Sequence, residues 1–250
     1  FVCGGAALDP VVGRWFDSIG IPVLEGWGLT ETSAPVTANQ LGALRYGTVG
    51  RPLPGVELRV GDNGELQVRS PGVFGGYIGD EAATAEVFTE DGYFRTGDIG
   101  HIDDDGYVHI TDRMKSLLVT AGGKNIAPSP IEAALTRSPL IEQAVVVGDG
   151  RPYLSALLVP DEGAVLAWAA EALPDLPTDD LWSSDALRER LQTEVDAVNG
   201  GLERYETIKR FALQREPLSI ESDELTPTLK LRRAVVARRR QAAIDALYAS

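Results

Sequence analysis

Between residues 45 and 111, short alternating apolar runs are separated by turn residues, and this pattern constrains the fold more than any other feature of the sequence. Val56–Val60 and Glu65–Arg69 flank an Asp-Asn-Gly sequence, which predicts a hairpin with an Asn-Gly turn. Ile99–Ile102 and Tyr107–Ile110 flank a second turn and predict a second hairpin. Short strands at this spacing predict a small, distorted β-barrel.

The pattern on either side of this stretch contains helices. At the N-terminal side, Val11–Ile19 has one apolar face and predicts a helix, and Ile21–Leu24 predicts a strand. After Lys115, Ser129 and Pro130 predict the N-cap and first residue of a helix that runs to about residue 136. Further strands are predicted over 116–120, 144–147, 154–160 and 205–213, and further helices over 162–172, 185–199 and 232–247. The chain is therefore predicted to be of mixed α/β (α+β) class, with a boundary near Lys115.

Composition excludes several classes of protein. No run of 18 apolar residues exists, so a transmembrane helix is not expected. The net charge is −14, and only Lys230–Arg240 holds a basic run, six bases without an acid. General nucleic-acid binding is therefore not expected, because phosphate contacts need an extended positive surface. One cysteine and two histidines argue against a disulfide or a zinc site and predict a reducing, cytoplasmic location.

Four motifs occur in a fixed order: GWGLTET at Gly26–Thr32, DGYFRTGD at Asp91–Asp98, DRMK at Asp112–Lys115 and LTPTLKLRR at Leu225–Arg233. In this order they resemble the motifs of adenylate-forming (AMP-binding) enzymes, and the last is similar to the long-chain fatty acyl-CoA synthetase form. The resemblance implies that residues 1–113 end a large AMP-binding domain with its small β-barrel. It implies that residues 114–250 form a mobile C-terminal domain.

The resemblance also implies a nucleotide site for ATP or AMP. The adenine is expected against two small-residue segments, in which Trp27 takes the usual aromatic position: Gly4, Gly5 and Ala6, and Glu25, Gly26, Trp27 and Gly28. Asp98 and Arg113 are expected to contact the ribose. From the residues alone, Gly4-Gly5 also suits a plain turn, Trp27 suits core packing, and Asp98 suits a turn-capping role.

Three residues are expected to act in catalysis. By resemblance, Thr30 meets the α-phosphate, Glu31 holds Mg²⁺, and Lys230 holds the carboxylate and α-phosphate oxygens. Taken alone, Thr-Glu after a glycine better suits a helix N-terminus, and Lys230 better suits a solvated lysine at a helix start. Asp112 and Lys115 are expected to form the hinge of the mobile domain.

Two basic or glycine-rich segments are given other roles. The loop Gly122–Asn125 lacks the glycine and hydroxyl spacing of a P-loop, and by resemblance it lines the channel of the thiol acceptor. Arg238–Arg240 is expected to be a solvated face, with contact to a membrane surface or to CoA phosphates left open.

The expected function is ATP-dependent activation of a fatty acid to acyl-AMP, followed by transfer to CoA. The family's phosphate-cradling loop and most of its acyl tunnel have no counterpart here, so the missing N-terminal part of the same enzyme is expected as a partner. The chain alone is expected to be inactive in adenylation. An enzyme that loads a carrier protein and a non-catalytic binding module are the two alternatives.

Overall fold

The computed structural model describes residues 1–249 and divides the chain into two compact units, Phe1–Lys115 and a second that begins at Ser116. Each unit combines helices and strands, so the predicted mixed α/β class is confirmed. The boundary predicted after residue 113 and the observed division after Lys115 differ by two residues.

The first sheet of the first unit has four strands in the order β1-β2-β3-β4. Its strands are β1 (Val2–Cys3), β2 (Leu24–Leu29), β3 (Ala34–Ala38) and β4 (Arg51–Pro52), with helix α1 (Pro10–Ser18) between β1 and β2. Strands β1 and β2 are parallel, whereas β3 is antiparallel to both of its neighbours. Helix α1 begins one residue before the predicted Val11, because Asp9 is its N-cap and accepts a hydrogen bond from Val11 N.

Strand β2 begins later than predicted. The pattern predicts a strand over Ile21–Leu24, whereas pairing starts at Leu24 and continues through the Glu25–Gly28 segment. Pro22 has no N–H to give to a ladder, so the first bond is donated by Leu24 N to Phe1 O at 2.8 Å. The segment predicted to follow the strand is therefore part of it.

The second sheet of the first unit is an antiparallel half-barrel of four strands in the order β5-β6-β7-β8. Its strands are β5 (Glu57–Val60), β6 (Glu65–Arg69), β7 (Phe94–Ile102) and β8 (Val108–Arg113), with the short helix α2 (Glu81–Glu86) between β6 and β7. Both predicted hairpins are confirmed as β5–β6 and β7–β8.

The two sheets are joined through the chain before β4. Val49 N donates to Val108 O at 2.9 Å, and Val108 N donates to Gly50 O at 2.9 Å. Gly50 has φ +80°, and a Cβ there would lie 1.9 Å from the Ala38 carbonyl carbon, so only glycine fits. Buried apolar side chains from the two joined sheets pack together in one cluster: Trp27, Val36, Val49, Leu66, Val68 and Val108.

The second unit is built on a sheet in the order β11-β12-β13. Its elements are β9 (Leu118–Val119), β10 (Asn125–Ile126), α3 (Pro128–Leu135), β11 (Ile141–Val147), β12 (Leu154–Pro160), α4 (Glu162–Ala172), α5 (Thr178–Leu181), α6 (Asp185–Asn199), β13 (Ile208–Leu213), α7 (Arg233–Arg239) and α8 (Gln241–Tyr248). Every residue of the central strand β12 is buried. The bounds predicted for α4 and α6 are confirmed, since Asp161 and Ser184 cap them as side-chain acceptors.

Two helices of the second unit differ from prediction. Helix α3 begins at Pro128 with Ala127 as its N-cap, so Ser129 lies inside the helix and not at its cap. The predicted terminal helix is two helices, because Arg240 leaves helical geometry between α7 and α8.

Arg240 forms a buried ion pair with Glu224. Its Nε donates to Glu224 Oε1 at 2.8 Å and its Nη2 donates to Oε2 at 2.9 Å. Glu224 is 0% exposed, and only 11% of the Arg240 side chain is exposed. The prediction of a solvated face over Arg238–Arg240 is therefore wrong at Arg240, whereas Arg238 and Arg239 are exposed.

The pair predicts a pH-dependent stability of the second unit. The Arg240 guanidinium lowers the pKa of Glu224, so its stabilising contribution is present above the unfolded carboxyl pKa and is lost as pH falls through the lowered one. We expect Glu224→Gln to lower the free energy of unfolding by about 3–5 kcal/mol at pH 7, because it leaves a buried guanidinium without its counter-ion. The difference in the free energy of unfolding between the unchanged chain and Glu224→Gln should become smaller at acidic pH.

Urea denaturation at pH 7 and at a pH well below the ordinary Glu pKa of roughly 4.3 measures this. The matched control is Asp223→Asn, which removes an exposed ion pair with Arg232 in the same loop. Asp223→Asn should lower the free energy of unfolding by less than about 1 kcal/mol. A Glu224→Gln cost that equals the control, or that is independent of pH, would contradict the assignment.

Candidate functional site

The carboxyl ends of the parallel strands β1 and β2 lie at one edge of the first sheet, where ligands of such sheets bind. Gly4 follows β1 and faces Gly26 of β2, so closely that a Cβ on Gly4 would lie 3.1 Å from Gly26 O. Gly5 has φ +86°, and Ala6 continues the loop. The residues predicted to meet the adenine are thus brought together as a strip of backbone with little side-chain bulk.

Glu25 points away from that strip. It is 4% exposed, and its Oε1 accepts a hydrogen bond from Leu8 N at 2.9 Å. Burial raises the pKa of the Glu25 carboxyl, and the bond from Leu8 partly opposes the shift. Glu25 therefore holds the loop between β1 and α1 in place.

Asp98 is the buried carboxylate of the site. It is 4% exposed; its Oδ2 accepts from Trp27 Nε1 at 2.7 Å, and its Oδ1 accepts from Arg113 Nε at 2.8 Å. Asp98 and Arg113 are direct partners in the β7–β8 ladder. Two motifs that are distant in sequence therefore meet as one cross-strand pair.

Asp98 lies within a strand, which corrects its predicted place on a tight turn. Strand β6 pairs Gln67 with Arg95 and Glu65 with Ile99, so Thr96-Gly97-Asp98 forms a bulge in β7. Gly97 takes φ +69° there. The bulge changes the direction of the side chain and turns Asp98 towards Trp27 and Arg113.

Thr30 and Glu31 follow β2 in a three-residue 3₁₀-helix, Thr30–Thr32. Thr32 Oγ1 accepts from Leu29 N at 2.9 Å and donates to Leu29 O at 2.8 Å, which fixes the turn. Thr30 is exposed and Glu31 is half-buried. Both predicted catalytic side chains are therefore accessible to a ligand.

Tyr77 contacts the site and is not identified by the sequence analysis. Its hydroxyl donates to Glu31 Oε1 at 3.1 Å, and Phe74 N donates to Glu31 O at 2.8 Å. Burial, and then the bond to Glu31, raises the pKa of the Tyr77 phenol. Phe74 and Tyr77 belong to the glycine-rich stretch 72–79. The composition of this stretch indicates only an irregular backbone and gives no sign of a contact with Glu31.

Glu31 fits the mode in which proteins bind Mg²⁺ with few ligands of their own. Mg²⁺ keeps several waters and is commonly held by one or two carboxylates together with substrate phosphates. Across residues 1–249, no group of three or more His, Cys, Asp or Glu side chains is placed to hold a metal ion. A single accessible carboxylate suits a metal that arrives with a phosphate ligand.

The predicted hinge residues lie on either side of the end of β8. Asp112 is 7% exposed and is paired with Ile99 inside the sheet. Lys115 is exposed and lies in the 3₁₀-helix Met114–Ser116, where the two units divide. The backbone at Lys115 is thus less restrained than that at Asp112.

Lys230 lies in the second unit, in a tight loop that is closed by a bridge between Leu225 and Leu231. Lys230 N donates to Thr226 Oγ1 at 3.0 Å, and Thr226 N donates to Lys230 O at 2.9 Å. The Lys230 side chain is exposed. In the same unit, Lys124 of the predicted acceptor-channel loop lies 5.4 Å from the ring centre of Tyr205.

Comparison with known proteins agrees with this geometry. Residues 1–78 match the AMP-binding enzyme family, and residues 115–250 match the AMP-binding enzyme C-terminal domain. The chain belongs to the AMP-binding enzyme family. The long-chain-fatty-acid–CoA ligase FadD15 of Mycobacterium tuberculosis is 42% identical over 254 residues, which cover 99% of this chain and 41% of that protein.

Solved structures show the same fold. The adenylation domain of the Mycobacterium chelonae carboxylate reductase has a TM-score of 0.80 at 31% identity, covering 100% of this chain and 38% of that one. The adenylation domain of the Segniliparus rugosus carboxylic acid reductase, in complex with AMP and a carboxylic acid, has a TM-score of 0.78 at 27% identity, covering 99% and 38%.

The chain spans about two fifths of the length of the curated relatives it matches, 41% in the case of FadD15. No helix described within residues 1–249 is both long and apolar enough to cross a membrane.

The site predicts that Asp98 controls nucleotide affinity. Asp98→Ala should weaken AMP binding at least tenfold, because a hydrogen bond to a charged acceptor contributes about 1.5–3 kcal/mol. Isothermal titration of AMP into the chain measures the loss. The matched control is Asp91→Ala in the same motif, where the carboxylate is exposed and paired with Arg59.

Unchanged AMP affinity in a folded Asp98→Ala protein would contradict the role assigned to this carboxylate. An equal loss in Asp91→Ala would show that the motif acts only through its fold.

Proposed function

We propose that this chain is the part of a long-chain fatty acid–CoA ligase that carries the ribose-binding carboxylate and the catalytic lysine. The enzyme joins a fatty acid to the α-phosphate of ATP, giving acyl-AMP and pyrophosphate, and the thiol of CoA then displaces AMP. The observation that carries the proposal is the buried Asp98 opposite Arg113, in a chain 42% identical to a protein named as such a ligase.

The residues of the first unit bind and orient the nucleotide. We assign the adenine to the strip around Gly4 and Gly26, and the ribose hydroxyls to Asp98 and Arg113. Thr30 donates its hydroxyl proton to an α-phosphate oxygen, and the Glu31 carboxylate holds Mg²⁺. The metal, when bound, neutralises charge on the phosphates. Catalysis is then mostly positioning and electrostatic stabilisation.

Lys230 acts in the adenylation step. Negative charge on the attacking carboxylate and on the α-phosphate repels, and an ammonium group that donates to both offsets the repulsion. Lys230 is exposed, and its backbone N–H is hydrogen-bonded to Thr226, so its ammonium group is accessible to a ligand. Lys115, at the division of the chain, is proposed as the hinge that changes the orientation of the second unit between the two steps.

A carrier-protein thiol is the second candidate acceptor. It is supported by the similarity to a Segniliparus rugosus didomain that joins an adenylation domain to a PCP, with a TM-score of 0.75. Supplying CoA or a carrier protein with a free thiol as acceptor separates the two. A peripheral membrane position is a further proposal, which rests on the exposed Arg238 and Arg239.

Lys230→Ala is expected to separate the two half-reactions. The enzyme for this test is FadD15 in which this chain replaces the aligned region. The variant should lose acyl-AMP formation by about 10²–10³-fold, as is typical for the removal of one electrostatic group. It should convert supplied acyl-AMP and CoA to thioester at the parental rate. Pyrophosphate exchange and thioester formation measure the two steps.

The control is Lys209→Ala, which removes an exposed lysine of β13 and should leave both steps unchanged. If both half-reactions fall together in a folded Lys230→Ala enzyme, the proposed division of labour is wrong. If the parental chimera forms no acyl-AMP, the ligase assignment itself fails.

A further inference from the structure

The indole of Trp27 has little free surface for a base. The residue is 9% exposed, and its ring belongs to the buried cluster that joins the two sheets of the first unit. Strand β2 alternates, so Trp27 and Glu25 share the buried face, whereas Gly26 and Gly28 lie on the other. The indole is therefore held in place by packing within the first unit.

The polar atom of Trp27 is directed at Asp98. Indole Nε1 donates to Asp98 Oδ2 at 2.7 Å, a bond between groups separated by 71 residues. The distance is short for an N–H donor, as expected when the acceptor is charged. The one donor of the indole is therefore used on the carboxylate that we assign to the ribose.

Asp98 is held from two sides by donors of different mobility. Arg113 approaches Oδ1 from the surface, and 61% of its side chain is exposed. Trp27 approaches Oδ2 from the core and has only two side-chain torsions, both fixed by packing. When Arg113 turns to a ligand, Trp27 still sets the orientation of the carboxylate.

We infer that Trp27 is a positioning residue for nucleotide recognition: its indole N–H fixes the Asp98 carboxylate in the orientation that accepts the ribose hydroxyls. The inference rests on the proposed function, since it takes an adenine ribonucleotide as the ligand of Asp98. An aspartate carboxylate turns readily about its last torsion. Fixing it before binding removes an entropic cost that the ligand would otherwise bear.

A purely structural role gives a different expectation. A buried indole N–H needs an acceptor wherever it lies, and Asp98 supplies one. Loss of such a bond would loosen the site and weaken every nucleotide to the same extent. Loss of a positioning bond weakens only those ligands whose ribose hydroxyls reach Asp98.

The test compares AMP with 2′,3′-dideoxy-AMP by isothermal titration into the chain and into Trp27→Phe. Phenylalanine keeps an aromatic ring in the core and lacks the donor. We expect AMP affinity to fall about tenfold, the lower end for a hydrogen bond to a charged group, and dideoxy-AMP affinity to stay unchanged. Trp15→Phe, at an exposed tryptophan of α1, is the matched control and should change neither.

A spectroscopic measurement reports the bond itself. In a ¹H–¹⁵N spectrum the indole proton of Trp27, identified by its loss in Trp27→Phe, should lie downfield and should move upfield in Asp98→Asn, where the acceptor is neutral. Addition of AMP should shift it. The Trp15 signal should stay in place in both cases.

Four outcomes would overturn the inference. Equal weakening of AMP and dideoxy-AMP in Trp27→Phe, or no weakening of either, would overturn it alone and leave the proposed function intact. An indole signal that is insensitive to Asp98→Asn would do the same. Failure of the unchanged chain to bind AMP would overturn the nucleotide assignment of Asp98 and this inference with it.

Discussion

Burial of the Asp98 carboxylate is the constraint on which the rest of the first unit depends. An ionised carboxylate with 4% exposure is costly unless charged and hydrogen-bonding groups surround it. The β7–β8 ladder supplies Arg113 directly opposite, and β2 supplies the indole of Trp27. The bulge in β7, the register of the hairpin and the packing of the joined sheets must all be in place for the three groups to meet.

The second unit also buries a carboxylate beside an arginine, but there both side chains are largely buried. Glu224 is 0% exposed and is closed off by Arg240, of which 11% is exposed. Around Asp98 the arginine lies at the surface instead, so a ligand can approach the carboxylate. The two buried carboxylates therefore differ in access: Asp98 is paired with an exposed arginine, whereas Glu224 is closed off by a largely buried one and holds a loop.

Local signals in the sequence predicted local structure well. Asp161 and Ser184 cap α4 and α6, which have the predicted bounds. The Asn-Gly turn of the first hairpin needs no distant partner, and its strands lie within one residue of the prediction. One local signal misled, since Ala127 and not Ser129 is the N-cap of α3. The other failures lie where a distant contact decides. The bulge at Asp98 depends on pairing with β6, and the break at Arg240 accompanies an ion pair 16 residues away. Tyr77 meets Glu31 across 46 residues, a distance at which no local pattern gives a signal.

The loop that carries Lys230 contains a strained backbone conformation that is held in place by surrounding contacts. Leu229 takes φ +59°, a left-handed conformation that costs a non-glycine residue about 1–2 kcal/mol. The cost is borne because Leu229 N donates to Thr226 O and the bridge between Leu225 and Leu231 closes the loop. Glu224, one residue before the bridge, anchors the loop through Arg240. Strained backbone that persists beside an exposed lysine is typical of functional positions. The hydrogen bonds that close the loop thus restrain the backbone from which the Lys230 side chain extends, which suits the electrostatic role proposed for its ammonium group.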